Sequence, residues 1–302
     1  MKKSKKILII IAVCSIAVGI LMAAVTLAVI NFDLTRLNTM ELQTVTYELD
    51  NSFSHIIVDV TESDVIFAPS EDGKCRVVCI EGKSISHTVS DSNGILKITR
   101  VDIRKWYERV GIYWGKMSVT VYLPDSEYTD ICVENVSGDI VIPTGFSFAE
   151  AELYSTSGDV CFSGQVESGL VTETVSGDIY LSDIICGTAD ICSVSGNIKL
   201  TDCDTDTLSI SSSSGDVELI DVFAEGDMVI DTVSGDIELY ESDGANILLD
   251  TTSGDVKGRL MSEKKFDVST SSGDVRVPWD MNSEERCGIR TVSGDIEMTV
   301  AK

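Results

Sequence analysis

The sequence predicts an all-β protein: a β-solenoid (β-helix-like) of stacked 19–21-residue coils, preceded by one N-terminal transmembrane helix. Three observations predict it. A tripeptide, Ser-Gly-Asp, returns at a near-constant interval. Apolar residues alternate with polar ones on either side of it. A single uncharged apolar run stands near the N-terminus.

The apolar run comes first in the chain. Residues 7–30 are 24 residues without a charge or a Pro. As a helix they would span about 36 Å, more than the ~30 Å core of a bilayer. Lys2, Lys3, Lys5 and Lys6 precede the run, and positive charge stays on the cytoplasmic side. This predicts a basic cytoplasmic tail at 1–6, an anchor at 7–30 and a stalk at 31–46. The remainder then lies outside a single-pass cell-membrane protein. A cleaved signal peptide is the alternative reading. Against it, the run exceeds the roughly 7–15 apolar residues of a signal peptide, and no clear A-x-A site follows. Lipidation at Cys14 is disfavoured by bulky Val13 before it.

The repeat follows. Its glycines are Gly138, Gly158, Gly177, Gly196, Gly215, Gly235, Gly254, Gly273 and Gly294, at intervals of 19 to 21. Aligned on glycine, position +2 is always Ile or Val, from Ile140 to Ile296. Position +4 is mostly apolar, position −5 mostly Val, Leu or Ile, and position −3 Ser, Thr or Asn. Each copy therefore reads as two short strands joined at Ser-Gly-Asp, with a polar loop of seven to nine residues completing it. The inward positions are odd before the glycine and even after it, so the joint must turn. Glycine is expected there for a positive φ, and Asp for bonds to nearby backbone N–H groups. Stacked coils and an antiparallel meander both satisfy this pattern. Constant copy length favours stacking, because coils of equal perimeter keep a core in register. Residues 131–302 are then a nine-repeat solenoid.

Residues 47–130 read as an irregular β cap and first coils. They contain strand-like runs such as residues 55–60 and 117–123, and Thr61–Val65 sits where a worn repeat would sit. Terminal repeats depart from consensus because they close an end. Residues 104–116 break the pattern with Trp106, Tyr107, Tyr113 and Trp114 among Arg104, Lys105, Arg109 and Lys116. The functional reading is a contact loop, in which aromatics anchor a sugar or protein and bases meet an anion. The plainer reading is a hairpin packing its rings over the core end.

Composition narrows the function. With 49 acidic and 23 basic residues the net charge is −26, which argues against nucleic-acid binding. His55 and His87 are the only His, so a multi-His metal site or a His-based triad is not expected.

The membrane segment, a strand region ending in Val119–Pro124, and tandem T-x-SGD-[IV]-x-[LV] copies resemble a bacterial putative-adhesin family of unknown function, common in Gram-positive bacteria. The resemblance covers about residues 45–300. It implies an extracytoplasmic β-solenoid, linked to surface attachment or envelope stress, with no catalytic residues to carry over.

Chemistry can be weighed residue by residue. Asp139, Asp159, Asp178, Asp216, Asp236, Asp255, Asp274 and Asp295 would stack into a carboxylate row, a weak candidate for Ca²⁺. One Asp per coil is sparse for an ion that takes six to eight oxygens. These Asp are expected mainly as turn formers. Solenoids can host polysaccharide-cleaving enzymes, but such sites need unlike residues converging in a cleft, and here the carboxylates are repeat-equivalent. Eight Cys outside the anchor invite a disulfide reading, and Cys75, Cys79 and a His are the sparse makings of a zinc site. The expectation is a non-enzymatic binding or structural module without a cofactor. Its partners would be the membrane, through residues 7–30, and a wall glycan or envelope protein. The rival readings are a polysaccharide-acting enzyme and an accessory sensor of a membrane signalling system.

Overall fold

The computed structural model describes residues 3–29, 31–32, 41–49, 53–106, 115–279 and 283–301. Helix α1 spans Lys3–Val29. Its stretch Ile9–Val29 is long and apolar enough to cross a membrane, and the rest of the chain does not cover it. A helix apolar on every side has no face suited to water.

Among the described residues, every element after α1 is a strand. The repeats begin with β8 (Glu127–Asn135), β9 (Ile140–Ile142) and β10 (Ser147–Ser155). From there each strand turns corners and runs on to the next Ser-Gly-Asp: β11 (Val160–Thr174), β12 (Ile179–Ser193), β13 (Ile198–Ser212), β14 (Val217–Thr232) and β15 (Ile237–Thr251). Successive copies pair in parallel, with Ile179 opposite Ile198 and Ile198 opposite Val217. The meander is thereby excluded. Parallel pairing in register stacks like on like, so Val160, Ile179, Ile198, Val217, Ile237 and Val256 form one fully buried column. β-Branched residues suit strands buried between neighbours.

The segment expected as a loop is instead a third wall. Ile184 and Cys186 point inward and pair with Cys203 and Thr205 of the next copy, which pair with Val222 and Ala224. The corner leading into this wall uses the left-handed region. Asp183, Asp202 and Asp221 have φ of 53° and Glu241 has 50°. Asp tolerates that conformation better than most side chains.

The repeat glycines are not at positive φ, contrary to expectation. Close approach requires them instead. A Cβ on Gly196 would overlap the carbonyl of Gly177, and one on Gly177 would overlap that of Gly158. The backbones of adjacent corners touch, and only a residue without a side chain fits between.

The rungs do not all follow chain order. Near the N-terminus, β2 (His55–Asp59) lies between β8 and β6 (Ile95–Asp102). Likewise β3 (Ser63–Pro69) lies between β9 and β7 (Met117–Leu123). The worn copy at Thr61–Val65 is thus a true rung, and β6–β7 lies beyond it. Three antiparallel strands roof this end. β5 (Ile85–Ser92) pairs with β6, β4 (Cys75–Gly82) with β7, and β1 (Leu42–Leu49) with β4. Part of the expected stalk, Leu42–Thr46, is therefore sheet, because its backbone completes the edge of β4. Residues 33–40 of that stalk lie outside the described residues.

The C-terminal end mirrors this order. The chain runs β16 (Val256–Leu260), β17 (Lys265–Ser272), β18 (Val275–Arg276), β19 (Arg286–Ser293) and β20 (Ile296–Val300). Yet β19 sits between β15 and β17, and β20 between β16 and β18. The corner glycines run Gly235, Gly254, Gly294, Gly273 through space. The swap sets Met298 opposite Gly258. The glycine leaves a gap opposite, and the flexible Met298 side chain reaches over it. Where the chain steps around the inserted rung, Lys264 is buried. Its Nζ lies 2.8 Å from Asp243 Oδ1 and also pairs with Glu285.

Candidate binding edge and a sealed polar cluster

The Ser-Gly-Asp corners make one continuous edge. In the five copies from Gly158 to Gly235, an inward hydroxyl three residues before the glycine accepts the glycine N–H, as Ser155 does from Gly158 at 2.9 Å, Thr174 from Gly177 at 3.1 Å and Ser193 from Gly196 at 2.9 Å. The Asp one residue after glycine bridges rungs rather than closing its own turn. Asp139 Oδ1 accepts the Asp159 N–H at 3.1 Å, Asp159 that of Asp178 at 2.9 Å, and Asp178 that of Asn197 at 2.8 Å. The ladder continues through Asp216, Asp236 and Asp255, then Asp295, then Asp274. Asp64 heads it, accepting the Asp139 N–H at 3.2 Å.

The second carboxylate oxygens face outward. Several meet hydrogen-bond donors: Tyr180 donates to Asp178, and Lys257 to Asp255 at 2.9 Å. Lys116 lies 3.3 Å from Asp64 and 3.6 Å from Asp139. Lys257 and the Asp295 N–H hold the Asp255 carboxyl below its usual range. Among the described residues, none of these Asp joins a converging group of three metal-ligand side chains.

The wall around this edge is acidic. Residues 131–255 contain 25 Asp and Glu and one base, Lys199, which pairs with Glu218 at 2.6 Å. The bases gather toward the two ends, nine in residues 74–116 and seven in residues 257–290. Beside the ladder, Tyr180, Lys199, Asp216, Glu218, Asp236 and Glu238 line an open groove of about 360 Å³. Two residues before the glycine, five of the nine copies carry an exposed valine: Val136, Val175, Val194, Val233 and Val292.

Of the expected contact loop, residues 104–106 and 115–116 are described; they follow β6 and precede β7, and Lys116 meets Asp64 at the head of the Asp ladder. Trp106 is 80% exposed. Arg104 does not reach out as expected. Its guanidinium bonds Asp102 at 2.9 Å, because a partly buried carboxylate there needs a partner. Lys105 lies beside it in the chain. Tyr107, Tyr113 and Trp114 lie outside the described residues.

The cysteines are free thiols, so the disulfide reading fails. They sit at unlike repeat positions. Burial pushes the thiols of Cys75, Cys79, Cys186 and Cys287 up to about 12, which leaves them poor nucleophiles.

A second constellation lies under the roof; the sequence offered Cys79 with a His, but not Ser63 or Glu81. His87 donates its backbone N–H and ring Nδ1–H to Glu81 Oε2, at 2.7 and 3.1 Å. Ser63 Oγ lies 3.2 Å from His87 Nε2. Ser, His and acid thus stand in the order of a nucleophile, a base and its orienting partner. Ser63 exposes no surface, however, and Glu81 and His87 only 3% each. Ser63 is not placed to attack a substrate. Cys79 adjoins the pair, while Cys75, expected beside it, is not in the group.

A parallel solenoid with one polar pattern repeated along an acidic wall defines a class: a repeat protein that presents a surface. The chain belongs to the Toastrack DUF4097 family, whose model matches residues 53–299. No curated protein matches it. Three solved structures share the architecture. A putative adhesin from Parabacteroides merdae has a TM-score of 0.52 at 12% identity, covering 88% of this chain and 98% of that one. A putative lipid binding protein from Parabacteroides distasonis has a TM-score of 0.52 at 17% identity, covering 86% and 97%. A putative adhesin from the same species has a TM-score of 0.51 at 12% identity, covering 86% and 98%. At these identities the likeness is one of fold.

Proposed function

We propose that this protein is a non-enzymatic binding or structural module of the cell envelope. In this reading α1 anchors the chain in the membrane, with the basic tail inside and the solenoid outside. One observation carries it: an in-register ladder of Asp side chains, continued through Asn197, beside a wall almost free of bases. A surface that repeats itself suits an extended partner better than a small substrate, for which unlike groups must converge. Its charge repels anionic lipid and anionic wall polymers, and favours a neutral glycan or the basic face of an envelope protein. Exposed Trp106, just after β6, is the candidate for an anchoring contact. Attachment or a part in envelope stress fits such a surface.

The test uses the full-length chain in detergent, immobilised and exposed to defined neutral wall-glycan fragments and to a basic envelope protein. Retention of one of them without bond cleavage is the expected result, with at least about tenfold weaker binding in Trp106→Ala. Cleavage of the glycan, abolished by changing one carboxylate, overturns the reading.

A further inference from the structure

We propose that Cys79, Glu81 and His87 form a transition-metal site of the zinc class that clamps the roof at the N-terminal end of the rod. The three side chains come from two strands. Cys79 and Glu81 are two apart on β4 and share its inward face, and His87 faces them from β5. Their ligand atoms all lie within 4.8 Å of one another, and all three residues are buried. Thiolate, imidazole and carboxylate together suit zinc or cobalt rather than calcium or magnesium.

The geometry is close to that of a site. Zinc bonds of about 2.0–2.2 Å to nitrogen and oxygen give a tetrahedral N···O edge of roughly 3.3–3.5 Å. Glu81 Oε2 and His87 Nδ1 stand 3.1 Å apart. The ring is already held from its far side, where Ser63 Oγ lies 3.2 Å from Nε2. Metal-ligating His usually has such a second partner, which fixes the tautomer. A hydroxyl donates or accepts by rotating. Ser63 thus donates to Nε2 without metal, and accepts from Nε2–H when Nδ1 binds the ion. Tyr47 donates to the His87 carbonyl at 3.0 Å and steadies the same residue from β1.

Charge balance points the same way. Binding releases the Cys79 proton, and a dication then meets one thiolate and one carboxylate, so the buried site is neutral. Its structural effect is specific. β4 and β5 share one paired position, Gly82 opposite Ile85. A metal between them joins strands that the backbone scarcely ties.

The test is cobalt titration of the full-length chain in detergent after treatment with a chelator. One equivalent of Co²⁺ is expected to raise a thiolate-to-cobalt charge-transfer band and tetrahedral d–d bands, both displaced by Zn²⁺. Zn²⁺ should raise the melting temperature by about 5 °C, the order that a saturating ligand gives a domain of this size. Cys75→Ser, on the same face of β4, should keep the band, and Cys79→Ser should lose it. No band with the wild-type chain overturns the proposal, whatever the variants do. So does a band that survives Cys79→Ser.

Discussion

At the N-terminal end the outermost rung, β6–β7, lies under three antiparallel strands, and its inward residues Leu96, Ile98, Val119 and Val121 are fully buried. At the C-terminal end the outermost rung, β17–β18, has no strand beyond it among the described residues, and Phe266, Val268 and Val275 are only partly covered. Both rungs belong to the same stack. What differs is the covering. Lys265 and Asp267 stand on the bare edge, and charged side chains there discourage pairing with other chains. Enclosure thus lies at the end where the chain leaves its helix, and the open edge at the other. Rung pairing alone makes the rod, and irregular sequence is spent on closing it.

Lys264 gives the hardest test of that comparison. Lys264→Ala leaves Asp243 buried without its cation, and should cost about 3–5 kcal/mol in urea unfolding. Lys83→Ala at the roofed end removes only an exposed pair with Glu41 and should cost less than about 0.5 kcal/mol. Next in size is Gly196→Ala. Its Cβ meets the Gly177 carbonyl from within the stack, so about 3 kcal/mol is expected. Gly273→Ala meets the Gly294 carbonyl in the same way, but its rung has one neighbour and can yield. About 1 kcal/mol is expected, and equal losses in thermal melts would mean the open end is as rigid as the shaft.

Amide hydrogen exchange separates the last two rungs. β19 should exchange at least about tenfold more slowly than β17, although it is nearer the C-terminus, since it has neighbours on both edges. A smaller effect concerns acid. The Arg104 guanidinium and backbone N–H hold the Asp102 carboxyl well below its usual range. Such a group stabilises the fold above the ordinary carboxylate pKa and loses that contribution as pH falls through the lower folded value. Asp102→Asn should therefore narrow the gap in melting temperature between pH 7 and pH 3. Smallest of all is Asp216→Asn. Asn197 already serves as a ladder rung through its amide oxygen, so a change within about 0.5 kcal/mol is expected.

The period and two of the three walls were legible because their inward residues repeat as Ile, Val and Leu. The third wall was not. Its inward positions hold Ile184, Cys203, Val222 and Ser242 in one column, and no apolar rhythm survives such variety. The exchange of rungs at the C-terminus pairs Gly258 with Met298, 40 residues away, and nothing in the period announces it. Gly-to-Gly contact also escaped notice, because a glycine demanded by a turn and one demanded by crowding look identical in one dimension. The cluster of Ser63, Cys79, Glu81 and His87 joins three strands whose order the irregular cap conceals. Thr61–Val65 was recognisable because it kept the Asp and the valine of the repeat, with Ser63 standing in the glycine's place.

The placing of β19 and β20 inside their predecessors bears on mechanical load. A terminal strand at the edge of a stack peels away one hydrogen bond at a time under a pull. Here a force on Ala301 meets strands gripped on both sides, which must slide lengthwise before they release. Pulled from Ala301, this end of the stack would then fail by shear, at higher force than by unzipping.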